Sequence, residues 1–599
     1  MSRTRRRLAL AAILALATAL RFLGLGWGLR QAPHHDEREF VENARRMVAE
    51  RSLDHRFYEY PGLFFYLIAP ALALLPAPAR EGAQAYWLVR GIVAAFGVAS
   101  VGLVFRLGER LMGPRAGLVA ALLLAVSRAD VVTAHMVRPD LVLGSFALLA
   151  AFTWLRLGPD PGGDWRAGAV LGAATAVKFT GLLLAPSYVL ARWLAPGPRG
   201  SRIVLAGVAA VLVGLAFTPY ALIHAAAFFE GIHDQLAPHY QGGSAPAGGG
   251  GLLWYYLRSV PWSFGGAAVV AMAVGLVAGL GPGWRRWAPI VLHPVVTIGV
   301  MSTADIGFRR QLVPTTGLLA LLAARGFEAV ARRLPGGSAW LAVLIAAAPA
   351  ANAWRDAWAL AQPGPKDRAL DFIADHAPDE ARIATAVDNL GLDATRYEAV
   401  RFGRWEREGR LLSREVDLLV LPADEAPAAA PLEQVRFPGR PGSDAGDVLA
   451  VLWRPTSAST RESLRIDPRW LASSDPGDLA PLVDQRLDTL WRSEQPQRAG
   501  CYLEVAFPEP RSVSRVELVA GPRLAESAPR LALLASDDGA RWRAIETVAG
   551  RPALADQIRM PRSQVWLFDP VTTRRLRLVR QGGAVRRWAA AELRLDATP

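Results

Sequence analysis

The feature that most constrains this chain is the recurrence of long apolar blocks from the N-terminus to about residue 355, and their disappearance beyond it. Leu8–Leu29, Ile203–Ile223 and Ala267–Leu280 are examples. A helix needs roughly 20 predominantly apolar residues to span a bilayer core, and buried soluble helices do not account for so many runs. Residues 1–355 therefore read as a polytopic α-helical membrane region. The net charge of +14 would suggest nucleic acid in a soluble protein. Here much of it lies in short loops between apolar blocks, where basic residues set orientation, and no nucleic-acid motif accompanies it. The single cysteine, Cys501, excludes an internal disulfide framework.

Orientation follows from the loops. Arg3, Arg5, Arg6 and Arg7 precede Leu8–Leu29, which is too long for a signal-peptide core and reads as an uncleaved first helix with its N-terminus inside. The basic turns Gly108–Arg115, Gly197–Arg202, Gly281–Trp287 and Ala324–Arg333 also belong inside. All four stay there if Gly62–Pro78, short and ending in prolines, is re-entrant or interfacial rather than a crossing. About eleven transmembrane helices then result. Residues 30–61, 128–140, 224–257 and 305–310, and everything after about Trp354, fall outside the cytoplasm. The expected location is a bacterial plasma membrane.

The remainder divides in two. Residues 356–455 carry a helical pattern at Asp367–His376 and apolar runs at Arg382–Val387, Val416–Leu421 and Val448–Leu452, which predict a small extracytoplasmic α/β region. Residues 456–599 follow a polar linker. Short runs at Tyr502–Phe507, Val513–Val519, Leu531–Ala535 and Leu576–Val579, separated by Pro, Gly and Asp, predict a β-sandwich. Gly242–Gly251 is a low-complexity external loop.

The sharpest chemistry lies in the first external loop. Phe40, Val41, Ala44, Met47 and Val48 share one helical face, which predicts an amphipathic helix on the membrane surface. Asp36 and Glu37 stand at its start. Asp36 with Glu39 also fits a capping box, with Asp36 as N-cap. His34 and His35 fit an interfacial role equally well.

The pattern Asp36-Glu37-x-x-Phe40-Val41-x-x-Ala44 followed by Tyr58-Glu59-Tyr60-Pro61-Gly62-Leu63 resembles the first loop of polyprenol-phosphate-dependent glycosyltransferases of the GT-C fold. That family includes protein O-mannosyltransferases and aminoarabinose transferases. Ser127 with His135-Met136-Val137-Arg138-Pro139-Asp140 resembles its second acidic loop. Gly172 with Val177-Lys178-Phe179-Thr180-Gly181 resembles its Lys-Tyr-Thr-Gly break, Thr218-Pro219-Tyr220 its Asn-Pro-Tyr, and Phe308–Pro314 its Arg-Tyr-Leu-Leu-Pro. Tyr60-Pro61-Gly62 departs from the Lys-Pro-Pro of the aminoarabinose enzymes, and Thr218 replaces Asn. The resemblance implies transfer of a sugar, with inversion, from a polyprenyl-phosphate donor to an extracytoplasmic glycan, lipid or protein hydroxyl. Such chemistry needs a base for the acceptor hydroxyl and cations for the departing phosphate. The resemblance makes Asp36 the candidate base, with Glu37 and Asp140 as further acidic groups. Arg309, Arg310, Arg138 and Lys178 are candidates for the phosphate; snorkelling at the interface explains the arginines equally well. His35, Glu59 and Tyr60 are candidates for the acceptor or sugar site. A divalent cation is a further expectation, with His35 and Asp36 as candidate ligands.

Val483–Ser493 resembles the Asp-Gly-Asp-x-x-Thr-x-Trp-x-Ser signature of discoidin, or coagulation-factor type C, domains. Gly500–Val505, Ser536–Gly539 with Trp542, and Arg574–Val579 with Trp588 and Glu592 extend it. The resemblance implies a jelly-roll-like sandwich that binds carbohydrate, with Asp484 and Asp488 as turn acids for calcium; Trp491 reads as core. Two other readings of the whole chain compete with the enzyme. One is a flippase or transporter, which favours internal repeats that this chain lacks; the other is a non-catalytic anchor for the sandwich.

Overall fold

The computed structural model describes residues 2–30, 35–240, 251–281, 283–334, 339–379, 381–387, 390–393, 396–401, 416–426, 433–437, 449–453, 462–475, 477–486, 489–495, 498–520, 531–546, 563–581 and 587–597. The Gly242–Gly251 loop is almost wholly outside them. The chain forms two compact units, one over residues 1–363 and one that begins at Gly364.

The first unit is helical. Its helices are α1 (Arg3–Phe22), α2 (His35–Glu50), α3 (Leu63–Ala73), α4 (Ala77–Glu81), α5 (Ala83–Met112), α6 (Pro114–Ala125), α7 (Arg128–Ala134), α8 (Asp140–Trp154) and α9 (Pro161–Val177). They continue with α10 (Ala185–Leu194), α11 (Gly200–Ala216), α12 (Tyr220–Ile223), α13 (Ala225–Tyr240), α14 (Gly251–Gly279), α15 (Trp284–Met301), α16 (Val313–Ala331) and α17 (Ala339–Ala361). Short 3₁₀ turns, Phe179–Leu184 and Arg309–Leu312, precede α10 and α16. The surface carries exposed Val204, Val211, Leu212, Val270, Val277 and Val343. So much bare aliphatic surface is costly in water and natural against lipid. Among the described residues, three helices are long and apolar enough to cross a membrane, or four if the bent pair α6–α7 is one span.

Three local expectations change. The first apolar block is helical only to Phe22, because Gly24 takes a left-handed φ of 81° and the following residues turn. α2 does not rest its apolar face on lipid. Phe40, Val41, Ala44 and Met47 are buried, and the Phe40 ring meets Phe57, Tyr60, Phe64 and Phe65 at 4.9–6.2 Å. Bulky aromatics on α3 and the loop before it supply a better partner than the interface, since they remove the whole face from solvent. Finally, α2 starts at His35, so Asp36 lies in its first turn instead of at the N-cap.

The second unit opens with α18 (Pro365–His376) and a five-stranded sheet: β1 (Arg382–Thr385), β2 (Glu398–Arg401), β3 (Leu418–Pro422), β4 (Glu433–Phe437) and β5 (Leu449–Trp453). The order is β2-β1-β3-β5-β4; β1 is parallel to β2 and β3, and β5 is antiparallel to β3 and β4. Ile383, Leu418, Val420, Leu449 and Val451 are buried with Ala369 and Ile373 of α18 in one core.

An antiparallel β region follows: β6 (Glu462–Leu464), β7 (Leu471–Ser473), β8 (Trp491–Arg492), β9 (Tyr502–Val519), β10 (Leu531–Ser536), β11 (Arg543–Ala544), β12 (Ser563–Arg580), β13 (Ala589–Ala590) and β14 (Glu592–Ala597). The main order is β11-β10-β12-β9-β14-β6, with β7 on β9 and a separate β8–β13 pair. The two runs expected at Tyr502–Phe507 and Val513–Val519 are one 18-residue strand. Pro508 and Pro510 lack the N–H a ladder needs, and the register against β12 shifts there without ending the strand. Trp491 is 1% exposed and meets Trp588 edge-on at 5.4 Å, as core.

Candidate functional site

Four stretches far apart in sequence bring their charged residues to one place. Asp36, in the first turn of α2, forms an ion pair with Arg138 and lies 3.6 Å from Arg310. Asp140 opens α8, and its Oδ1 accepts from Lys178 Nζ at 2.7 Å. The polar neighbours of Arg310 include Arg138, Asp140, Asp36 and Tyr60. The site residues Asp36, Asp140, Arg138, Arg310 and Lys178 therefore form one connected cluster.

Local backbone explains several placements. Pro139 forces the chain out of the preceding turn, so Arg138 and Asp140 flank a helix start. Lys178 is extended (φ −157°, ψ 137°) and breaks α9 from the 3₁₀ turn. The break folds back tightly: a Cβ at Gly181 would lie 2.4 Å from the Ala174 carbonyl, so only glycine fits. Gly62 N donates to Thr218 Oγ1 at 3.5 Å. The two departures from the family pattern, Tyr60-Pro61-Gly62 and Thr218, are thus neighbours in space.

Glu37 sits one residue from Asp36 and faces away from the cluster. Its carboxylate takes both arms of Arg90 at 2.8 and 2.7 Å and also accepts from Val137 N at 2.9 Å. Arg90 donates further to the Leu25 and Trp27 carbonyls at 2.9 and 2.7 Å. Arg90 stands alone in the apolar run of α5, and an ionisable residue inside a span is functional or structural by default; that signal was legible. So was Asp130, which is buried and accepts from Ser127 Oγ at 2.6 Å and Thr316 Oγ1 at 3.1 Å. The pairing of Arg128 with Asp356, at 2.5 and 3.1 Å over 228 residues, left no local signal.

Arg309 does not face the cluster. Its guanidinium lies 4.5 Å from the Trp262 ring and 5.8 Å from the Tyr255 ring. Tyr60 packs edge-on to Phe40 and stacks on Phe57 at 5.9 Å. Glu59 is half-buried on the same loop, where Gly231 of α13 meets its backbone. His35 begins α2, and its side chain lies outside the described residues. His55 behind this loop stacks on Phe65 at 4.6 Å, and burial pushes it down to about 4, so it is neutral at physiological pH.

Among the described residues no three His, Cys, Asp or Glu groups converge as a metal site. Asp488 lies outside the described residues. Asp484 uses Oδ1 for Arg486 N at 2.9 Å and Oδ2 for Thr489 Oγ1 at 2.8 Å. Glu592, on β14, is buried beside it with Oε2 unpartnered. Burial pushes the Glu592 carboxyl up to about 7, with the nearby Asp484 charge acting in the same direction. A raised carboxyl binds its proton more tightly in the folded state. Its contribution to stability is present below about pH 4.5 and is lost as pH rises through about 7. Thermal unfolding in EDTA should therefore show the Glu592→Gln variant gaining on the wild type between pH 5 and pH 8; parallel profiles would contradict this. On β12, the Arg577 guanidinium lies 3.9 Å from the Tyr502 ring and 3.8 Å from the Trp542 ring, and Glu504 receives it at 2.6 Å.

Residues 61–224 match the family model of dolichyl-phosphate-mannose-protein mannosyltransferases. That stretch holds Asp140, Arg138 and Lys178, and begins directly after Tyr60. No curated protein matches the chain. Among solved structures, ArnT from Cupriavidus metallidurans bound to undecaprenyl phosphate is similar at 17% identity over 75% of this chain and 98% of its own, with a TM-score of 0.47. The Archaeoglobus fulgidus oligosaccharyltransferase is similar at 13% identity over 63% of this chain and 59% of its own, with a TM-score of 0.46. A Clostridium perfringens CBM32 module in complex with GalNAc-β-1,3-galactose is 14% identical over 23% of this chain and 100% of its own, with a TM-score of 0.19.

Proposed function

We propose that the chain is a membrane glycosyltransferase that moves a sugar, with inversion, from a polyprenyl-phosphate donor to a hydroxyl outside the cytoplasm. The observation that carries this reading is the convergence of Asp36 and Asp140 with Arg138, Arg310 and Lys178. The match of residues 61–224 to a family named for a lipid-phosphate-linked mannose donor supports it. The helices α1, α5, α6, α8, α9, α10, α11, α14, α15, α16 and α17 serve as about eleven crossings. With that assignment the basic turns fall inside and the cluster lies at the outer ends of its helices. Residues 1–355, 356–455 and 456–599 remain the proposed functional division.

The roles follow from exposure and charge. The Asp36 side chain is 35% exposed, whereas those of Asp140 and Glu37 are 2% and 1% exposed. Asp36 is the acid an acceptor hydroxyl can reach, and it acts as the base. Asp140 positions Lys178, and Glu37 anchors α2. Three cations face two carboxylates in the cluster, which leaves positive charge for a phosphate, and the Arg138 Nε is buried without a partner. Arg310 and Arg138 therefore hold the leaving phosphate, and Lys178 supports it. Tyr60 and Glu59, with His35 at the start of α2, are the proposed acceptor or sugar residues.

In the second unit, Asp484 and Glu592 would hold a divalent cation, which would tie the turn to β14. The Arg577, Tyr502 and Trp542 layer is the proposed carbohydrate surface.

The test is transfer of labelled sugar from synthetic polyprenyl-phosphate donors by the purified protein. Replacing Arg310 with Ala should raise the donor KM about 10- to 100-fold, the range for a charged hydrogen bond to phosphate. The Arg309→Ala variant should stay within about threefold of wild type, because that guanidinium is spent on Trp262 and Tyr255. Equal effects of the two variants would remove the phosphate assignment.

A further inference from the structure

His293 and Thr297 lie one turn apart on α15 and are 2% and 3% exposed. The Nδ1 of His293 faces the Leu183 carbonyl at 3.2 Å. A carbonyl only accepts, so Nδ1 carries the proton and Nε2 presents a lone pair. That Nε2 is buried with no hydrogen-bond partner, and so is Thr297 Oγ1. Both border a cavity of about 10 Å³ whose wall also includes Leu143, Lys178, Thr180 and Gln311. The wall is mostly apolar, with Leu143, Leu183, Met301 and Pro314 beside these polar groups, and an unpaired polar group in such surroundings is costly.

The lining specifies the guest. It must donate to His293 Nε2 and fit a space the size of one water molecule. A phosphate or carboxylate oxygen brings no proton. An ammonium group brings protons, but it meets the Lys178 charge and cannot accept from Thr297. A neutral O–H does both, because one oxygen donates to Nε2 and accepts from Oγ1. Lys178 on the cavity wall pairs with Asp140 at 2.7 Å, so the cavity adjoins the proposed reaction site.

We infer that this cavity reads one hydroxyl group of the transferred sugar, with His293 and Thr297 as specificity-determining residues. The inference rests on the glycosyltransferase reading. A site built to hydrogen-bond a hydroxyl rejects the analogue lacking it far more strongly than an apolar pocket rejects a missing methylene.

The experiment uses the full-length protein and a set of polyprenyl-phosphate donors, each with one sugar hydroxyl replaced by hydrogen. Wild type should discriminate against one deoxy donor by about 100-fold or more in kcat/KM. The near-isosteric Thr297→Val and the polar His293→Gln should each reduce the discrimination at that one position to below about tenfold, and leave it unchanged at the others. Melting temperatures of the variants separate this from misfolding. A variant that loses equally on every donor, or a wild type indifferent to every deletion, overturns the inference and leaves a single structural water as the guest. A wild type that turns over no donor at all, while folded, overturns the glycosyltransferase reading and this inference with it.

Discussion

Asp36→Asn should lower kcat about 1000-fold, within the range a positioned general base contributes, while the protein stays folded. Asparagine keeps the shape of the side chain and the first turn of α2 but cannot take a proton. Donor affinity should hold or tighten. The carboxylate engages Arg138 and, at 3.6 Å, Arg310, and its neutral replacement releases both guanidinium groups to the phosphate. A fall in kcat without a rise in donor KM is therefore the signature. Single-turnover transfer of labelled sugar, measured beside donor binding and a thermal melt, reads all three quantities. If Asp36→Asn retains kcat within tenfold of wild type, the base is another group.

Glu37→Ala should have the largest effect on stability. The Glu37 and Arg90 side chains are each 1% exposed, and their paired arms lie at 2.8 and 2.7 Å. Removing one partner of such a pair leaves an uncompensated buried charge, at a cost of about 3–5 kcal/mol. The loss should appear as a lower melting temperature and faster proteolysis between α2 and α5. It also frees Val137 N, which Glu37 accepts at 2.9 Å, and so loosens the segment that carries Arg138. The fraction that remains folded should keep kcat within about tenfold, since Glu37 does not face the reacting groups. Unchanged stability with abolished turnover would make Glu37 catalytic instead.

These two neighbours show where sequence reading stops. Asp36 and Glu37 are adjacent acids at a helix start, and both read as catalytic candidates. Successive residues on a helix point about 100° apart. One therefore faces the Arg138–Arg310 cluster, and the other faces Arg90. Only the placement of α5 beside α2 decides which is which. The arginines divide in the same way. Arg309 and Arg310 are consecutive in a 3₁₀ turn, and the turn sends one to the aromatic rings of α14 and the other to Asp36. The face of α2 was legible from spacing, but its partner was not: Phe40 meets α3 and the Tyr60 loop rather than lipid.

By itself the sequence determined the apolar helical first part, the strand-rich remainder and the stretches that carry charge. Local composition and periodicity encode each of these, because burial and helix geometry act over a few residues. Tertiary structure alone decided which charged groups meet. Asp36 and Arg310, or His293 and Leu183, are more than a hundred residues apart, and no spacing rule reaches that far. Their meeting depends on how the helices cross, which is set by side-chain packing along whole faces. The cavity beside Lys178 belongs to the same class: it exists only where α8, α15 and the two 3₁₀ turns come together.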